Sequence, residues 1–178
     1  PIIIPIIFPI MFLKNFKMCY QCYCSLNLFL NLHGSFAEIM CRKLKEILLD
    51  KSYIIALLLP CPIWIYFSDL DGINYLSADQ VLMLLILFPV TEEVFFRGII
   101  QPTIHKKFSK TWHSLSIANV LTSLLFSLSH LFNHNPFWAL STFFPSLIFG
   151  WAKDRYNTLL APLMLHCYYN MGWFYLAN

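Results

Sequence analysis

Two adjacent carboxylates and an arginine interrupt an otherwise apolar stretch, within the sequence PVTEEVFFRG over residues 89–98. Glu93 and Arg97 are four residues apart, so in a helix they share one face and can form a buried ion pair. Glu92 lies about 100° round the same helix. This geometry predicts a structural role for Glu93 and leaves Glu92 available as a general base. The alternative is that both glutamates only hold Arg97 in a helix-packing network.

Polar side chains at helical spacing recur in two later apolar stretches. His130 ends the run Phe126-Ser127-Leu128-Ser129-His130, and His166 and Asn170, four residues apart, share one face of the last stretch. Donors on His166 and Asn170 could stabilise a developing oxyanion. Glu92 and His130 could hold and deprotonate a water molecule. Together these residues predict the addition of water to an amide carbonyl in a site shielded from lipid.

Three ordered motifs resemble those of the CPBP family, the glutamate-type intramembrane endopeptidases that include CAAX prenyl endopeptidases and the bacterial Abi proteins. The Glu-Glu-x-x-x-Arg motif stands at residues 92–97, Phe-x-x-x-His at 126–130 and His-x-x-x-Asn at 166–170. The resemblance covers about residues 80–176. Any one of the motifs is weak, but their order on successive hydrophobic stretches is specific.

The resemblance implies a role for each matched residue. Water would be activated by Glu92 with His130, and His166 and Asn170 would form the oxyanion hole. The supporting residues would be Glu93, Arg97 and Phe126. The mechanism would need no metal and no cofactor. The substrate would be a peptide or protein in or at the membrane, for example a C-terminal sorting segment or a CAAX-like segment.

The composition is typical of an integral membrane protein. Of 178 residues, 58% are hydrophobic and 12% charged, against about 25% charged in soluble domains. The chain is therefore predicted to be all-α, a polytopic membrane bundle of five to six helices. A charge near the bilayer centre costs at least ~2.5–3.5 kcal/mol, so buried charges in such a bundle usually mark function.

Five stretches are apolar enough to span or fill a bilayer. They are Ser52–Phe67, Gln80–Ile100, Ser114–Phe132, Phe137–Trp151 and Thr158–Leu176. Met18–Leu32 is a weaker sixth candidate. One geometric conflict follows from these bounds, because His130 falls near a helix end while Glu92 and His166 fall nearer the middle, a difference in depth on the order of 10 Å.

The loops between these stretches alternate in charge. Basic residues precede the first span and follow the second and fourth, whereas Asp69, Asp71 and Asp79 lie between the first and second. The positive-inside bias places the three basic loops in the cytoplasm. We predict an integral protein of a bacterial cytoplasmic membrane. The net charge of +3 is spread over these loops, which argues against nucleic acid as a partner.

A methionine, Met40, stands shortly before the first predicted span. From Met40 the chain has a short basic lead into a hydrophobic stretch, so Met40 is predicted as the native start. Residues 1–39 are then an apolar extension and residues 40–178 a single protease domain. Cys19, Cys22 and Cys24 resemble a zinc motif, but a structural site needs four ligands and His33 is the nearest further candidate; the default is that they pack as small apolar side chains.

Two other functions fit part of the pattern. Two glutamates and two histidines inside a helical bundle could bind zinc or a di-iron centre, although the chain has neither His-Glu-x-x-His nor Glu-x-x-His spacing. A non-catalytic chaperone or immunity protein could use the same polar residues to bind a peptide.

Overall fold

A computed structural model describes residues 35–67 and 76–177, together with Lys14. Several predictions fall outside these residues: most of the extension 1–39, the candidate helix Met18–Leu32, His33, the early cysteines and the acidic pair. Those cysteines are Cys19, Cys22 and Cys24, and the acidic pair is Asp69 and Asp71. The chain divides into two compact units: the first takes in Pro1–Asn74 and Leu176–Asn178, and the second is Tyr75–Tyr175.

Residues 35–67 of the first unit form three helices. They are α1 (Ser35–Leu49), α2 (Lys51–Leu58) and α3 (Cys61–Phe67). Asp50 begins α2 by accepting a hydrogen bond from the backbone N–H of Ser52 at 2.8 Å, which is ordinary N-capping. The predicted stretch Ser52–Phe67 is divided between α2 and α3, because Pro60 and Pro62 lack the N–H groups that would continue the helix. Cys41 is disulfide-bonded.

The second unit, Tyr75–Tyr175, begins with one long helical run, α4, over residues 78–107. Ser77 caps it in a reciprocal capping box with Gln80, a frequent way to begin a helix. The run widens into π-helical turns at Met83–Leu87 and Val94–Ile100. The predicted stretch Gln80–Ile100 lies entirely within α4.

A short antiparallel hairpin follows α4, and it was not predicted. Thr111–Trp112 (β1) pairs with Leu115–Ser116 (β2) across the turn residues His113 and Ser114. Helix α5 (Ile117–Ser129) begins at once, with Ser116 as its N-cap, and ends in a 3-10 turn over His130–Phe132. The predicted stretch Ser114–Phe132 is therefore helical from Ile117, and its first residues belong to the hairpin.

Three further helices complete the unit. They are α6 (Pro136–Ser141), α7 (Phe143–Tyr156) and α8 (Leu160–Gly172), which continues as a π-helical turn over Trp173–Ala177. The single stretch predicted at Phe137–Trp151 is thus wrong in one respect, since it breaks at Thr142. Pro145 lacks the N–H that would bond the carbonyl of Ser141, and its ring clashes there.

Helix α7 lies at the centre of this unit. It packs against α5 on one side and against α8 on the other, while α8 also contacts residues 83–93 of α4. Gly150 allows the closest of these approaches: a Cβ at this position would lie 1.9 Å from Oδ1 of Asn119 on α5. The Asn119 side chain is held there by donating to the carbonyl of Leu147 at 2.9 Å.

The described part of the chain is all-α apart from the hairpin, so the predicted fold class is confirmed at that level. No single helix in residues 35–67 or 76–177 is long and apolar enough to cross a membrane by itself. One bent pair, Ile39–Leu49 with Lys51–Phe67 at 66°, has a length and composition that would allow a crossing.

Gly150→Ala should destabilise the protein, because the added methyl group overlaps the fixed Asn119 amide. Overpacking of this kind costs about 1–3 kcal/mol. Thermal unfolding in detergent measures the effect. Gly98→Ala is the matched control, since its Cβ would meet Leu159 at 3.5 Å, an ordinary contact. Equal midpoints for the two variants would contradict this account of the packing between α5 and α7.

Candidate active site

Glu93 is a carboxylate buried in the interior of the second unit. It ends the α-helical part of α4 between the two π-helical turns, and only 1% of the residue is exposed. Its Oε1 lies 3.2 Å from Nη1 of Arg97 and 2.7 Å from Nδ1 of His166. One oxygen of Glu93 therefore contacts two nitrogen-bearing side chains, one from its own helix and one from α8. Local π-helical turns recur at functional sites.

Arg97 is fully buried and is held on all sides by α4, α5 and α7. Its Nη2 donates to both the carbonyl and the hydroxyl of Ser146, at 3.0 and 2.7 Å. The guanidinium also lies 4.7 Å above the ring of Phe126 and 5.6 Å from that of Phe149, where the ring faces attract a cation. The expected Glu93–Arg97 pair is present, but its 3.2 Å contact is not aligned as a hydrogen bond.

His166 lies between the two glutamates. Its Nδ1 donates to Glu93 because a carboxylate oxygen can only accept. Its Nε2 lies 3.6 Å from Oε2 of Glu92, a distance too long for a direct hydrogen bond. The ring stacks on Phe149 at 4.7 Å, with planes inclined by 19°. The Glu93 contact and this stacking fix the ring so that Nε2 points toward Glu92.

Glu92 differs from its neighbour in exposure. Its side chain is 30% exposed, against 1% for Glu93. The two adjacent residues point in directions about 100° apart on the helix, so burial of one leaves the other accessible. Glu92 is the carboxylate of the pair that a water molecule or a substrate can reach.

His130 approaches the cluster through Phe126. Its ring lies 4.6 Å from that of Phe126, which in turn lies 5.9 Å from the ring of His166. Its Nδ1 donates to the carbonyl of Phe126 at 2.9 Å, because that oxygen can only accept. A neutral His130 therefore carries its lone pair on Nε2. One aromatic ring separates the two histidines.

Asn170 lies one turn after His166 on α8. Its Nδ2 donates to the carbonyl of Leu84 at 2.9 Å, within the first π-helical turn of α4. The amide nitrogen carries two hydrogens, so this contact uses one donor and leaves the other. The hydrogen bond ties α8 to α4 near the glutamates.

Three residues around the cluster were not predicted from the sequence. Ser146 accepts from Arg97, Phe149 stacks on His166, and Gln101 donates to the carbonyl of Gly150 at 3.0 Å. Gln101 carried a signal, since it lies four residues after Arg97 on the same helical face. Ser146 and Phe149 carried none, because no spacing within α7 reports what α4 and α8 bring to it.

The fold and the cluster together define an all-α protein with a group of titratable side chains in its interior: one buried carboxylate, one accessible carboxylate and a histidine between them. In the described ranges, no three His, Cys, Asp or Glu side chains are grouped so that they could hold a metal ion.

Comparison with known sequences assigns the family. The profile of the family described as type II CAAX prenyl endopeptidase Rce1-like matches residues 75–172, which is more than half of the chain and includes all three motifs. The chain belongs to this family of membrane-associated proteases, which confirms the resemblance stated above. Neither the curated proteins nor the solved structures gave a match.

Glu93→Gln should destabilise the protein strongly, whereas Glu92→Gln should not. Removing the buried carboxylate leaves Arg97 without its counter-charge, at a cost of about 3–5 kcal/mol, or roughly 10 °C in the unfolding midpoint for a chain of this size. Glu92 is partly exposed and makes only a long contact, so its loss should cost under about 1 kcal/mol. Thermal unfolding of the two variants in detergent tests the contrast, and similar midpoints would refute it.

Proposed function

We propose that this protease is a glutamate-type intramembrane endopeptidase in which Glu92 is the general base. The observation that carries the proposal is the arrangement around His166: Glu93 is buried and shared with Arg97, while Glu92 is accessible beside the free edge of the imidazole. One glutamate is thus committed to structure and the other is available for chemistry.

The proposed reaction is attack of water on an amide carbonyl. Glu92 takes a proton from the water as the new C–O bond forms, and returns it to the nitrogen as the C–N bond breaks. The Nε2 of His130 accepts a hydrogen bond from the same water. The role of His130 is therefore to position the water. This role requires that packing against Phe126 hold the His130 ring on the side of Glu92 that the substrate approaches.

The oxyanion formed in this attack needs donors directed at it. The second N–H of the Asn170 amide is one such donor. Nε2 of His166 is the other when the ring carries both protons, and the Glu93 carboxylate at 2.7 Å then supplies the counter-charge. Arg97 and Phe126 support the site by holding Glu93 and the two histidine rings.

We further propose that the second unit is embedded in a bilayer. On α5, large apolar side chains are exposed at i, i+3, i+4, i+7, i+8 and i+11, the spacing of a single helix face: Ile117, Val120, Leu121, Leu124, Leu125 and Leu128. Contiguous apolar faces of this size are rare on soluble monomers and are what lipid requires. Trp112 before α5 and Phe132 after it are 78% and 89% exposed, in keeping with aromatic residues at the two interfaces.

Glu92→Gln should abolish cleavage while leaving the fold intact. The variant and the wild-type chain would be reconstituted in liposomes with a prenylated CAAX peptide, and the products identified by mass spectrometry. Loss of a general base lowers the rate by about 10²–10⁴. Glu46→Gln, which alters an exposed carboxylate on α1, is the matched control and should cleave normally. Undiminished cleavage by Glu92→Gln would remove Glu92 from this role.

Two further arms of this assay separate the alternatives. Asn170→Ala should lower kcat by about 10²–10³ with little change in KM, which is the usual effect of losing an oxyanion donor. A loss of thermal stability at unchanged kcat would show that Asn170 has only a structural role, through its hydrogen bond to Leu84. Dialysis against a chelator should leave the rate unchanged, and a chelator-sensitive rate would favour the metalloenzyme. Peptide binding without cleavage by the wild type would favour a binding protein.

The membrane orientation is tested by cysteine labelling in bacterial cells. Lys110→Cys and Asn133→Cys place thiols at exposed positions before and after α5. If the basic loops are cytoplasmic, a membrane-impermeant maleimide should label Asn133→Cys in spheroplasts and Lys110→Cys only after permeabilisation, with the parent chain as background. Equal labelling of both variants in intact spheroplasts would contradict this orientation.

A further inference from the structure

A cavity lies away from the glutamates, at the basic end of the second unit. Its volume is about 770 Å³, within the range of small-molecule sites. The walls are the last turns of α4 and α7 and the hairpin β1–β2. Because Gln101 and Asp154 line it, the cavity begins one turn beyond Arg97 and is separate from the site at Glu92.

The lining is cationic. Lys106, Lys153 and Arg155 contribute three positive charges against the single carboxylate of Asp154. Both oxygens of that carboxylate are occupied by neutral donors: Gln101 donates to Oδ1 at 2.7 Å and Ser116 donates to Oδ2 at 2.6 Å. Asp154 is thereby held against the cavity wall. The net charge favours an anion over a cation or an apolar ligand.

Neither lysine is neutralised within the described ranges. Lys153 reaches the neutral Oδ1 of Asn157 at 3.4 Å, and Lys106 has no carboxylate within ion-pair distance among the same residues. The Arg155 guanidinium lies 5.7 Å above the ring of Trp151, which restricts where its charge can be. Two lysines that share one cavity with a single carboxylate, itself bound by neutral donors, repel each other, and a bound anion relieves that repulsion.

The hairpin adds an unusual residue to the wall. His113 has a φ of 53°, a left-handed conformation that glycine adopts at lower cost. His113 nevertheless lines the cavity, as does His105 at the end of α4. A residue other than glycine at such a turn position is a reason to look for a function of its side chain. Imidazole N–H groups can donate to anionic oxygens.

We propose that this cavity binds a phosphate group, carried by the headgroup of an anionic phospholipid. The choice of a lipid as the source rests on the proposed membrane embedding, which puts the basic loops at the cytoplasmic leaflet, where anionic lipids gather. The exposed Trp112, on the same hairpin as His113, would then lie at headgroup level. The phosphate-binding chemistry itself depends on the cavity alone.

The test measures binding without any substrate, so its result is independent of proteolysis. The full chain, in nanodiscs of phosphatidylcholine, is titrated calorimetrically with short-chain phosphatidylglycerol and, separately, with glycerol 1-phosphate. The double variant Lys106→Gln, Lys153→Gln should bind the lipid about ten- to thirtyfold more weakly. The matched control is Lys107→Gln, Lys110→Gln, which removes the same charge from lysines outside the cavity and should bind within about twofold of the wild type.

His113→Gly provides a variant that keeps the turn. It should retain the thermal midpoint of the wild type, or raise it, while weakening the lipid several-fold. Glu92→Gln should bind the lipid as the wild type does, which separates this site from the proposed active site. Equal weakening in both double variants would show that surface charge alone attracts the lipid and would overturn the proposal, as would an absence of binding to the wild-type chain. Equal affinity for glycerol 1-phosphate would support phosphate binding in the cavity but would contradict the claim that a phospholipid carries the phosphate.

Discussion

One carboxylate oxygen organises the interior of this protease. Oε1 of Glu93 meets Arg97 from its own helix and His166 from α8. A buried charge without a partner is costly by several kcal/mol, so the carboxylate and the guanidinium can be buried only together. Their pairing forces α4 to turn this face toward α7 and α8. The position of His166, and hence the direction of its Nε2, follows from that constraint.

A polar seam extends the same constraint along α4 and α7. Arg97 and Gln101, four residues apart on α4, face residues 146, 150 and 154 of α7, which have the same spacing. Arg97 donates to Ser146, and Gln101 donates to the carbonyl of Gly150 and to Asp154. Nη2 of Arg97 and Nε2 of Gln101 each find acceptors on the facing helix, so a one-turn slip of α4 against α7 would leave these buried donors unpaired. The seam runs from the interior site to the basic cavity, because Gln101 and Asp154 both belong to the seam and line the cavity.

Much of the local structure could be predicted from the sequence, and the failures have physical causes. Long apolar stretches identified α4, α5 and α8, because apolar length is a local property. The breaks at Pro60 and Thr142 and the hairpin at His113 were missed, since a search for continuous apolar stretches passes over a proline or a tight turn. The difference in depth expected between His130 and the glutamates came from counting residues along separate helices, whereas the contacts of the Phe126 ring with both histidines depend on how α5 packs against α8.

The sequence by itself determined the family, the all-α class, the Glu93–Arg97 pair and the candidate site residues, because motif spacing and i,i+4 pairing lie within single helices. Only the tertiary structure decided that His166 joins the two carboxylates, that Asn170 is tied to Leu84, and that Ser146 and Phe149 complete the surroundings of Arg97 and His166. These contacts join helices far apart in sequence, so their geometry depends on helix rotation and depth, which packing fixes and no local pattern records. The difference between Glu92 and Glu93 combines both levels: spacing singled out Glu93 as the partner of Arg97, and burial left Glu92 accessible.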